Sequence, residues 1–420
     1  MTLTFDLPLL AGCFADRRDE PKIPSRAVGL SLLFGEIIQA PGLSQVAEET
    51  KLPQWQQWVG YHDRISHDTL GYAANRMNPE QLRRACRFIN RKLKRGKALE
   101  ASKMHGLLAV SLGANEQFCS DHRCGADCLT REVTCKDAQG NEFQQTQYYH
   151  KQVYAPLSGP RLSVILDLEP MRPGEEECAA ALRLLRRLRQ TYGPRFFDLV
   201  VVDSWYANGP FLKTVVEELG WPVVAVLKQE RYDIYQEALA LTRGKPTQVV
   251  ERGEAPNQRQ VEIWDVPALR FSDTYTHPVR VVRVRESWPE RTQQGKAWQT
   301  VAKEQTWIWV VAGDLDTYDG AAIRDFGHWR WKIENNAFGE LTQHWHLTHV
   351  AHHQPVAILA LWWIKIIAFT LFHAFAIVQG NLFRLGKVQS PRAQRERIQR
   401  KCNELAGLAA CGGRGRRKWN

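Results

Sequence analysis

A continuous run of apolar β-forming residues, Leu199–Val202, is the clearest feature in the pattern of hydrophobic and polar positions. Such a run is typical of a strand buried on both faces of a parallel sheet. The segment 174–192 before it has leucines at helical spacing, early glutamates and late arginines, and predicts a helix. A second helix over 208–220 and another apolar run over 222–227 follow. Asp203 is therefore predicted at the carboxyl end of a buried strand, where open α/β sheets bind ligands.

Earlier in the chain, apolar segments predict three further strands, over 106–113, 148–157 and 162–168, with a cysteine-rich turn after the first. Three strands followed by helix, strand, helix, strand is the order of an RNase H-like core. In that fold the first strand lies beside the strand that ends at Asp203, and the third lies at an edge. The fold class predicted is therefore α/β, with an RNase H-like core.

Beyond residue 227 the pattern changes to β-branched and aromatic runs separated by turn residues. These runs, at 261–266, 279–285 and 306–311, predict a β-rich insertion over about 245–315. Helical patterning resumes at about Ile323. The predicted organisation is an N-terminal helical DNA-binding domain, a core that contains the insertion, and C-terminal helices with a basic tail, over 1–103, 104–350 and 351–420.

The clearest N-terminal helix starts at Asn78 and Pro79, a capping residue followed by a proline suited to the first turn. Leucine, isoleucine and cysteine side chains share one face of this helix, and four arginines share the other: Arg84, Arg87, Arg91 and Arg95. No acidic residue between positions 81 and 98 offsets the eight Lys and Arg residues there. The arginine face is either a solvated surface or a site that follows DNA phosphates.

The net charge of +11 and the pI of about 9.2 favour a polyanionic partner. Nucleic acid is the first interpretation and a membrane surface the second. Nine cysteines, an odd number, fit a reducing cytoplasm better than a disulfide framework. The apolar segment 355–378 is long enough to span a bilayer but contains Lys365 and His373, which favours a buried core helix and no membrane association.

A second carboxylate lies in the segment 330–340, which reads R-W-K-I-E-N-N-A-F-G-E. On a helix Arg330 and Glu334 are four residues apart and face the same way, which alone predicts no more than an ion pair. Likewise, Asp203 alone could simply cap the helix that follows it. Together, the V-V-V-D-S-W-Y-A segment around Asp203 and R-W-K-I-E-N-N resemble the DDE transposases of bacterial insertion sequences, in particular the insertion-sequence-four family.

That family has an RNase H-like core interrupted by a β insertion, and a helix signature of Tyr, two residues, Arg, three residues, Glu, six residues, Lys. Arg330 and Glu334 match the signature in type and spacing. Gly327 stands where Tyr is expected, and Leu341 where Lys is expected. The resemblance implies DNA transposition, with double-stranded DNA as partner, a homodimer as the active assembly, and the cytoplasmic nucleoid as the place of action.

The resemblance also implies a first aspartate at position 113, at the end of the first core strand and 90 residues before Asp203. This chain has Gly113 there, and the nearest following carboxylate is Glu116. Asp167 and Glu169 could pair on a metal, but the predicted edge strand places them two strands away from Asp203. Cleavage by this chain is therefore expected to be impaired by several orders of magnitude, as when a member of a catalytic unit is lost.

The chemistry explains the need for three carboxylates. Cutting a phosphodiester and joining the freed 3′ hydroxyl to target DNA requires an activated nucleophile and a stabilised leaving oxygen, and two Mg²⁺ or Mn²⁺ ions provide both. By resemblance Asp203 holds one ion, Glu334 the other, and the first aspartate bridges them. The alternatives are a catalytically silent DNA-binding relic or repressor, which Gly113 favours, and an RNase H-like nuclease unrelated to transposition.

Three further groups have two interpretations each. Four cysteines near His122 could bind zinc, but their irregular spacing favours incidental thiols: Cys119, Cys124, Cys128 and Cys135. Four tryptophans of the insertion could stack an extruded base or fill the sheet core: Trp288, Trp298, Trp307 and Trp309. Four cations near the predicted site could contact phosphates or be solvated: Lys228, Arg231, Arg330 and Lys332.

Overall fold

The computed structural model of the chain describes residues 12–123, 125–158, 163–228, 230, 232–253, 258–294, 297–333, 339–349 and 351–380. The chain forms two compact units, each built from separated stretches. Unit 1 comprises Met1–Ala98, Glu116–Lys151 and Gly339–Asn420, and unit 2 comprises Leu99–Asn115 and Gln152–Phe338. The contiguous three-part division of the sequence remains a prediction.

The α-helices of the described residues are, in chain order, α1 (Ser25–Ile37), α2 (Leu43–Glu49), α3 (Pro53–Val59), α4 (His67–Ala74), α5 (Pro79–Arg95), α6 (Glu177–Tyr192), α7 (Gly209–Lys213), α8 (Asp233–Leu241), α9 (Gly320–Ile333), α10 (Gly339–His344) and α11 (Pro355–Gly380). The strands are β1 (Ala109–Ser111), β2 (Gly113–Ser120), β3 (Leu129–Lys136), β4 (Glu142–Ser158), β5 (Ser163–Pro170), β6 (Leu199–Val202), β7 (Val223–Val226), β8 (Gln248–Arg252), β9 (Arg259–Leu269), β10 (Val279–Gln294) and β11 (Ala297–Ala312).

Unit 1 is organised around α11, which packs against α1, α4 and α5. Its segment Pro355–Phe375 is long and apolar enough to cross a membrane, but most of it is buried inside the unit. Such burial is typical of a core helix, as the sequence predicts. Its one lysine, Lys365, is buried, pairs with Glu36 of α1 and donates to the carbonyl oxygen of Trp345 at 2.6 Å.

Unit 2 contains a mixed sheet with the strand order β5-β4-β1-β6-β7-β11-β10-β9-β8. β1 and β6 are parallel, as are β6 and β7, and the remaining neighbours are antiparallel. The first five strands of this order are consistent with an RNase H-like core. Helix α9 covers one face of the sheet, where Ile323 and Phe326 are fully buried among valines of β6, β7 and β10.

The segment β8–β11 extends the sheet of unit 2 beyond β7 and coincides with the β-rich stretch predicted over 245–315. The antiparallel pairing of β10 with β11 runs from Arg280 and Val311 to Gln294 and Ala297. β9 accompanies β10 only as far as Ser287. Within the described residues, the end of the β10–β11 hairpin is thus a two-stranded ribbon.

Two predictions about the segment after β1 are wrong. The first strand is shorter than predicted, and Gly113 begins β2 instead of ending β1. The stretch predicted as a cysteine-rich turn contains β2 and β3, and β3 pairs with β4 along its whole length. Most β3 side chains are exposed, so this strand has no apolar run that hydrophobic patterning could detect. β8, which lies within the predicted β-rich stretch, likewise has no buried position, because its residues alternate between partly exposed and exposed.

Candidate active site

Asp203 lies directly after β6, at the carboxyl edge of three neighbouring parallel strands. Its carboxylate Oδ1 accepts a hydrogen bond from the Trp205 amide at 2.8 Å and caps the short 3₁₀ helix Ser204–Tyr206. The capping and functional interpretations of Asp203 are therefore compatible. A carboxylate has about four acceptor sites, so a bond from a backbone amide does not exclude coordination of a cation.

The loop that carries Asp203 is tied to the first turn of α6. The buried Tyr206 hydroxyl donates to Glu177 Oε1 at 2.6 Å. The Asn208 amide nitrogen lies 3.5 Å from the sulfur of Cys178, and Asn208 also caps α7 through the Phe211 amide. These contacts fix the backbone on both sides of the 3₁₀ helix, so Asp203 is held on a rigid turn.

The surroundings of Asp203 are electronegative. Burial raises the pKa of Cys178 to about 11, and the negative charges of Glu177, Glu176 and Asp203 act in the same direction. Burial by itself disfavours charge of either sign, but the neighbouring carboxylates act in the direction that would attract a cation. Sequence patterning gave no signal for Cys178, and Tyr206 entered it only as part of the V-V-V-D-S-W-Y-A segment, without a role of its own.

The β1–β6 pairing bears on the position of Gly113 but does not reach it. Ala109, Val110 and Ser111 pair with Leu199, Val200 and Val201, an offset of 90 residues. The pairing ends there, and Gly113 belongs to β2, whose neighbour in the sheet is β4. The expectation that a carboxylate at position 113 would face Asp203 extends the offset past the end of β1 and stays a prediction.

Glu334 lies outside the described residues, and so do the side chain of Lys332 and the whole of Arg231. The helix that leads to Glu334, α9, is described up to Ile333. On it Arg330 is 6% exposed, so this arginine belongs to the packed part of unit 2. The expected pairing of Arg330 with Glu334 stays a prediction.

The structure leaves no room for a side chain at Gly327, the position where the insertion-sequence-four signature has a Tyr. A Cβ at this position would lie 2.7 Å from Cδ1 of Trp309 and closer still to Nε1 and Cε2. Trp309 of β11 is 1% exposed, so its indole fills the space directly under the helix. Helix α9 approaches the sheet here at a distance that only glycine allows.

An aromatic cluster surrounds the same part of α9. The rings of Trp307 and Trp309 stack with centroids 6.0 Å apart, and His328 meets both edge-on, at 5.3 and 5.2 Å. Trp331, 40% exposed, lies edge-on to Trp307, and the Lys228 ammonium lies 5.9 Å from the Trp307 ring. Trp309 is thus sheet core, whereas Trp307 and Trp331 reach towards the surface.

The remaining tryptophans of the hairpin have cationic neighbours. The guanidinium of Arg259 lies 4.3 Å from the ring of Trp288. Trp298, 60% exposed, lies 5.9 Å from the guanidinium of Arg291. Neither ring packs in the core of unit 2.

The carboxylates considered as substitutes for a first aspartate are engaged by arginines. Asp167 accepts from Arg187 Nε at 2.8 Å, and Glu169 pairs with both Arg183 and Arg187 of α6. In unit 1, Glu116 makes a bidentate pair with Arg131 at 2.8 and 2.9 Å. These ion pairs give all three carboxylates a structural role.

The arginine face of α5 in unit 1 has the predicted geometry. Asn78 caps the helix by accepting from the Glu80 amide at 3.0 Å, and Leu82, Ile89 and Leu93 are buried. Arg84 and Arg95 are exposed, whereas Arg87 and Arg91 are partly exposed. The four arginines therefore form an accessible cationic stripe, and its role in DNA binding remains a prediction.

The cysteines do not form a metal site within the described part of the chain. Cys128 Sγ lies 3.7 Å from His150 Nε2, and Cys119 is exposed beside Arg131. Cys135 lies seven residues from Cys128 along β3, a span of about 23 Å in extended backbone. One metal ion could not reach both of these thiols, and Cys124 lies outside the described residues.

Comparison with known families identifies the chain. The profile described as a transposase DDE domain matches residues 137–371, more than half of the sequence. The chain belongs to the transposase DDE domain family. The match includes Asp203 and Glu334 and begins after Gly113. Membership supports a role in DNA transposition and DNA binding, and DDE transposase domains generally use divalent metal ions.

No curated protein matches this DDE-domain chain. Among solved structures it is similar to a piggyBac transposase in a synaptic complex with hairpin DNA, studied by cryo-electron microscopy. The two share 10% sequence identity and a TM-score of 0.46, over 99% of this chain and 82% of the other.

Proposed function

We propose that this protein is an insertion-sequence transposase of the insertion-sequence-four type, which binds transposon-end DNA and carries out metal-dependent strand cleavage and strand transfer. The observation that carries the proposal is the position of Asp203 at the carboxyl edge of the parallel strands in a chain with a transposase DDE domain. On this proposal β8–β11 is the β insertion of the family, placed between β7 and the helix that leads to Glu334.

The described residues fit a hard divalent cation in part. Asp203 supplies carboxylate oxygen, the donor type that Mg²⁺ and Mn²⁺ prefer, in an electronegative setting. Gly113, at the position where the resemblance implies a first aspartate, has no side-chain donor to offer. Asp203 and Glu334 would hold the two ions, whose bound chemistry is activation of the attacking oxygen and stabilisation of the leaving one.

The cationic residues predicted from the sequence are the proposed DNA contacts. The arginine stripe of α5 would neutralise phosphates of the duplex, and Lys228 and Lys332 would contact phosphates near the cut. Arg330, predicted with them, is 6% exposed and would reach a phosphate only if its surroundings opened. The loop contacts of Tyr206 and Asn208 would keep Asp203 in place while DNA binds. Because two transposon ends are joined in one event, we propose a homodimer acting at the nucleoid in the cytoplasm.

The test compares this protein with its Gly113→Asp variant on linear DNA that carries the terminal repeat and its flank. Both are assayed for Mg²⁺- and Mn²⁺-dependent cleavage, with Gly113→Asp/Asp203→Asn as the inactive control. We expect only Gly113→Asp to cut, faster than the parent by several orders of magnitude. Equal cutting by both would show that another acid completes the site. Cutting that ignores the terminal repeat and prefers branched or RNA-containing substrates would favour a nuclease instead.

A second function is favoured by Gly113 itself. Without a first carboxylate the protein would bind transposon ends without cutting them, as a silent relic or a repressor of related elements. In that case the parent protein binds terminal-repeat DNA in a mobility-shift assay and reduces cleavage by an active relative added to the same reaction. Absence of both effects would exclude the repressor.

A further inference from the structure

A buried carboxylate, Glu286, lies in the middle of β10, away from the strand ends that carry the proposed metal ligands. Its side chain is 1% exposed. Oε1 accepts from Arg324 Nε at 2.8 Å and from His328 Nε2 at 2.6 Å, and Oε2 accepts from Arg259 Nη1 at 3.0 Å. Arg324 Nη2 also forms an ion pair with Oε1 at 2.7 Å. Sequence reasoning gave no signal for Glu286, because it belongs to no motif.

Two of its partners lie on the same helix. Arg324 and His328 are four residues apart on α9, so they project from one face of that helix one turn apart. Charge-assisted bonds are short and directional, and two of them to one buried point fix the rotation of the helix about its axis. Arg259 approaches the carboxylate from β9 and holds it from the side of the sheet.

The same turn of α9 lies against the aromatic cluster. Gly327 is positioned over Trp309, and the His328 ring is held between Trp307 and Trp309. The absence of a side chain at 327 sets how close the helix lies, whereas Glu286 sets which way it is turned. The start of α9 has separate anchors: Asp319 caps it through the Ala322 amide at 2.8 Å, and Asp325 pairs with His105 at 3.0 Å.

We propose that Glu286 is a positioning residue for the transposition chemistry: through Arg324 and His328 it fixes the rotation of α9, and so the direction in which the helix presents Arg330 and leads into Glu334. This inference rests on the proposed function, because Glu334 matters only if the protein cuts DNA. It assigns the β10 strand a task in catalysis that does not involve touching DNA.

The experiment uses three full-length variants, Glu286→Gln, His328→Gln and Arg259→Gln. The first removes the charge that binds both partners on α9, and the second removes one of these two partners while keeping Glu286 charged. Arg259→Gln removes a bond to the same carboxylate from outside α9 and is the matched control. Hydrogen exchange followed by mass spectrometry reports on the peptides of α9.

Cleavage is measured in the Gly113→Asp background, so that the missing carboxylate does not hide an effect. We expect faster amide exchange in α9 for Glu286→Gln and His328→Gln only, with exchange in β6 and β7 unchanged. We also expect kcat to fall by about 100-fold, as for a small misplacement of catalytic groups, with the KM for DNA unchanged within about twofold.

The proposal fails if α9 exchanges as slowly in both variants as in the parent, or if α9 loosens without a fall in kcat. It also fails if Arg259→Gln has the same effects, because the carboxylate would then stabilise the whole sheet and not the helix. If Gly113→Asp does not cut DNA at all, the proposed function fails, and the exchange data alone decide whether Glu286 holds α9.

Discussion

Gly327→Ala is a single added methyl group that tests the packing of α9 on the sheet. In most helices this change is favourable by about 1 kcal/mol, because alanine is the better helix former. Here the new Cβ would fall 2.7 Å from Cδ1 of Trp309 and closer to two other atoms of the indole. Trp309 is 1% exposed and pairs with Val226 in the sheet, so it has no room to retreat.

The magnitude follows from two opposing effects. Overpacking of a well-packed core costs about 1–3 kcal/mol, and contact with a rigid buried ring places this site at the upper end. After the gain in helix propensity, we expect unit 2 to lose about 2 kcal/mol of unfolding free energy. For a unit of about 200 residues this corresponds to a fall in melting temperature of about 4–8 °C.

Differential scanning calorimetry of the full chain measures the change, with Gly244→Ala as control, since a Cβ at 244 meets nothing within 4 Å. The control should not lower the melting temperature. In a Trp309→Val background, Gly327→Ala should lower the melting temperature less than it does in the parent. The smaller side chain at position 309 leaves room for the added methyl group. A Gly327→Ala protein that is more stable than the parent would refute the close approach of α9.

Three other predictions concern DNA binding and buried charge. Changing the four arginines of the α5 stripe to glutamine should weaken DNA binding more than removing the residues after Gly412. It should also reduce the slope of log K against log salt concentration by about 0.9 per lost phosphate contact. A larger effect of removing the tail would show that the stripe is not the main DNA-binding surface. Lys365→Met should lower the unfolding free energy of unit 1, measured in urea, by about 3–5 kcal/mol, because Glu36, whose pKa burial already raises, loses the cation that pairs with it. Adding Glu36→Gln should restore most of the lost stability. Burial alone would raise the pKa of Glu286, but His328 and Arg324 outweigh burial and hold this pKa at about 2. The stability that the ionised Glu286 contributes is therefore complete above about pH 4.5 and is lost as the pH falls towards 2. The stability difference between the parent and Glu286→Gln should therefore shrink by about 3 kcal/mol over that range, and a difference that does not change with pH would contradict the ion-pair network.

The parts of the fold that sequence patterning predicts are those in which burial imposes a period. β6 is buried at every position and appears as an unbroken apolar run, and α5 buries one stripe and appears as a 3.6-residue repeat. β3 exposes most of its side chains, so nothing in its sequence distinguishes it from a polar turn. Its pairing with β4 is a long-range property that residue spacing does not encode.

The residues of the candidate site also differ in whether the sequence predicts them. Asp203 could be predicted because a carboxylate at the end of an apolar run has a known place in a parallel sheet. Glu286 could not, because its role depends on Arg324 and His328 meeting it from a helix 38 and 42 residues later in the chain. The mismatch at Gly327 was visible in the sequence, but its cause, the indole of Trp309, required the structure.

The pairing of β11 with β7 has a mechanical consequence. Four residue pairs, from Trp309 and Val226 to Ala312 and Val223, join the β8–β11 segment to the parallel strands by a backbone ladder. A hinge at this seam would have to break that ladder, so the segment cannot swing over DNA as an independent lid. Its stiffness should instead fall with distance from β7, from a rigid root to the ribbon beyond Ser287, where the described ladder joins β10 to β11 without β9. Bending of the segment is then confined to the tip, and the turn of α9 that rests on the root stays fixed.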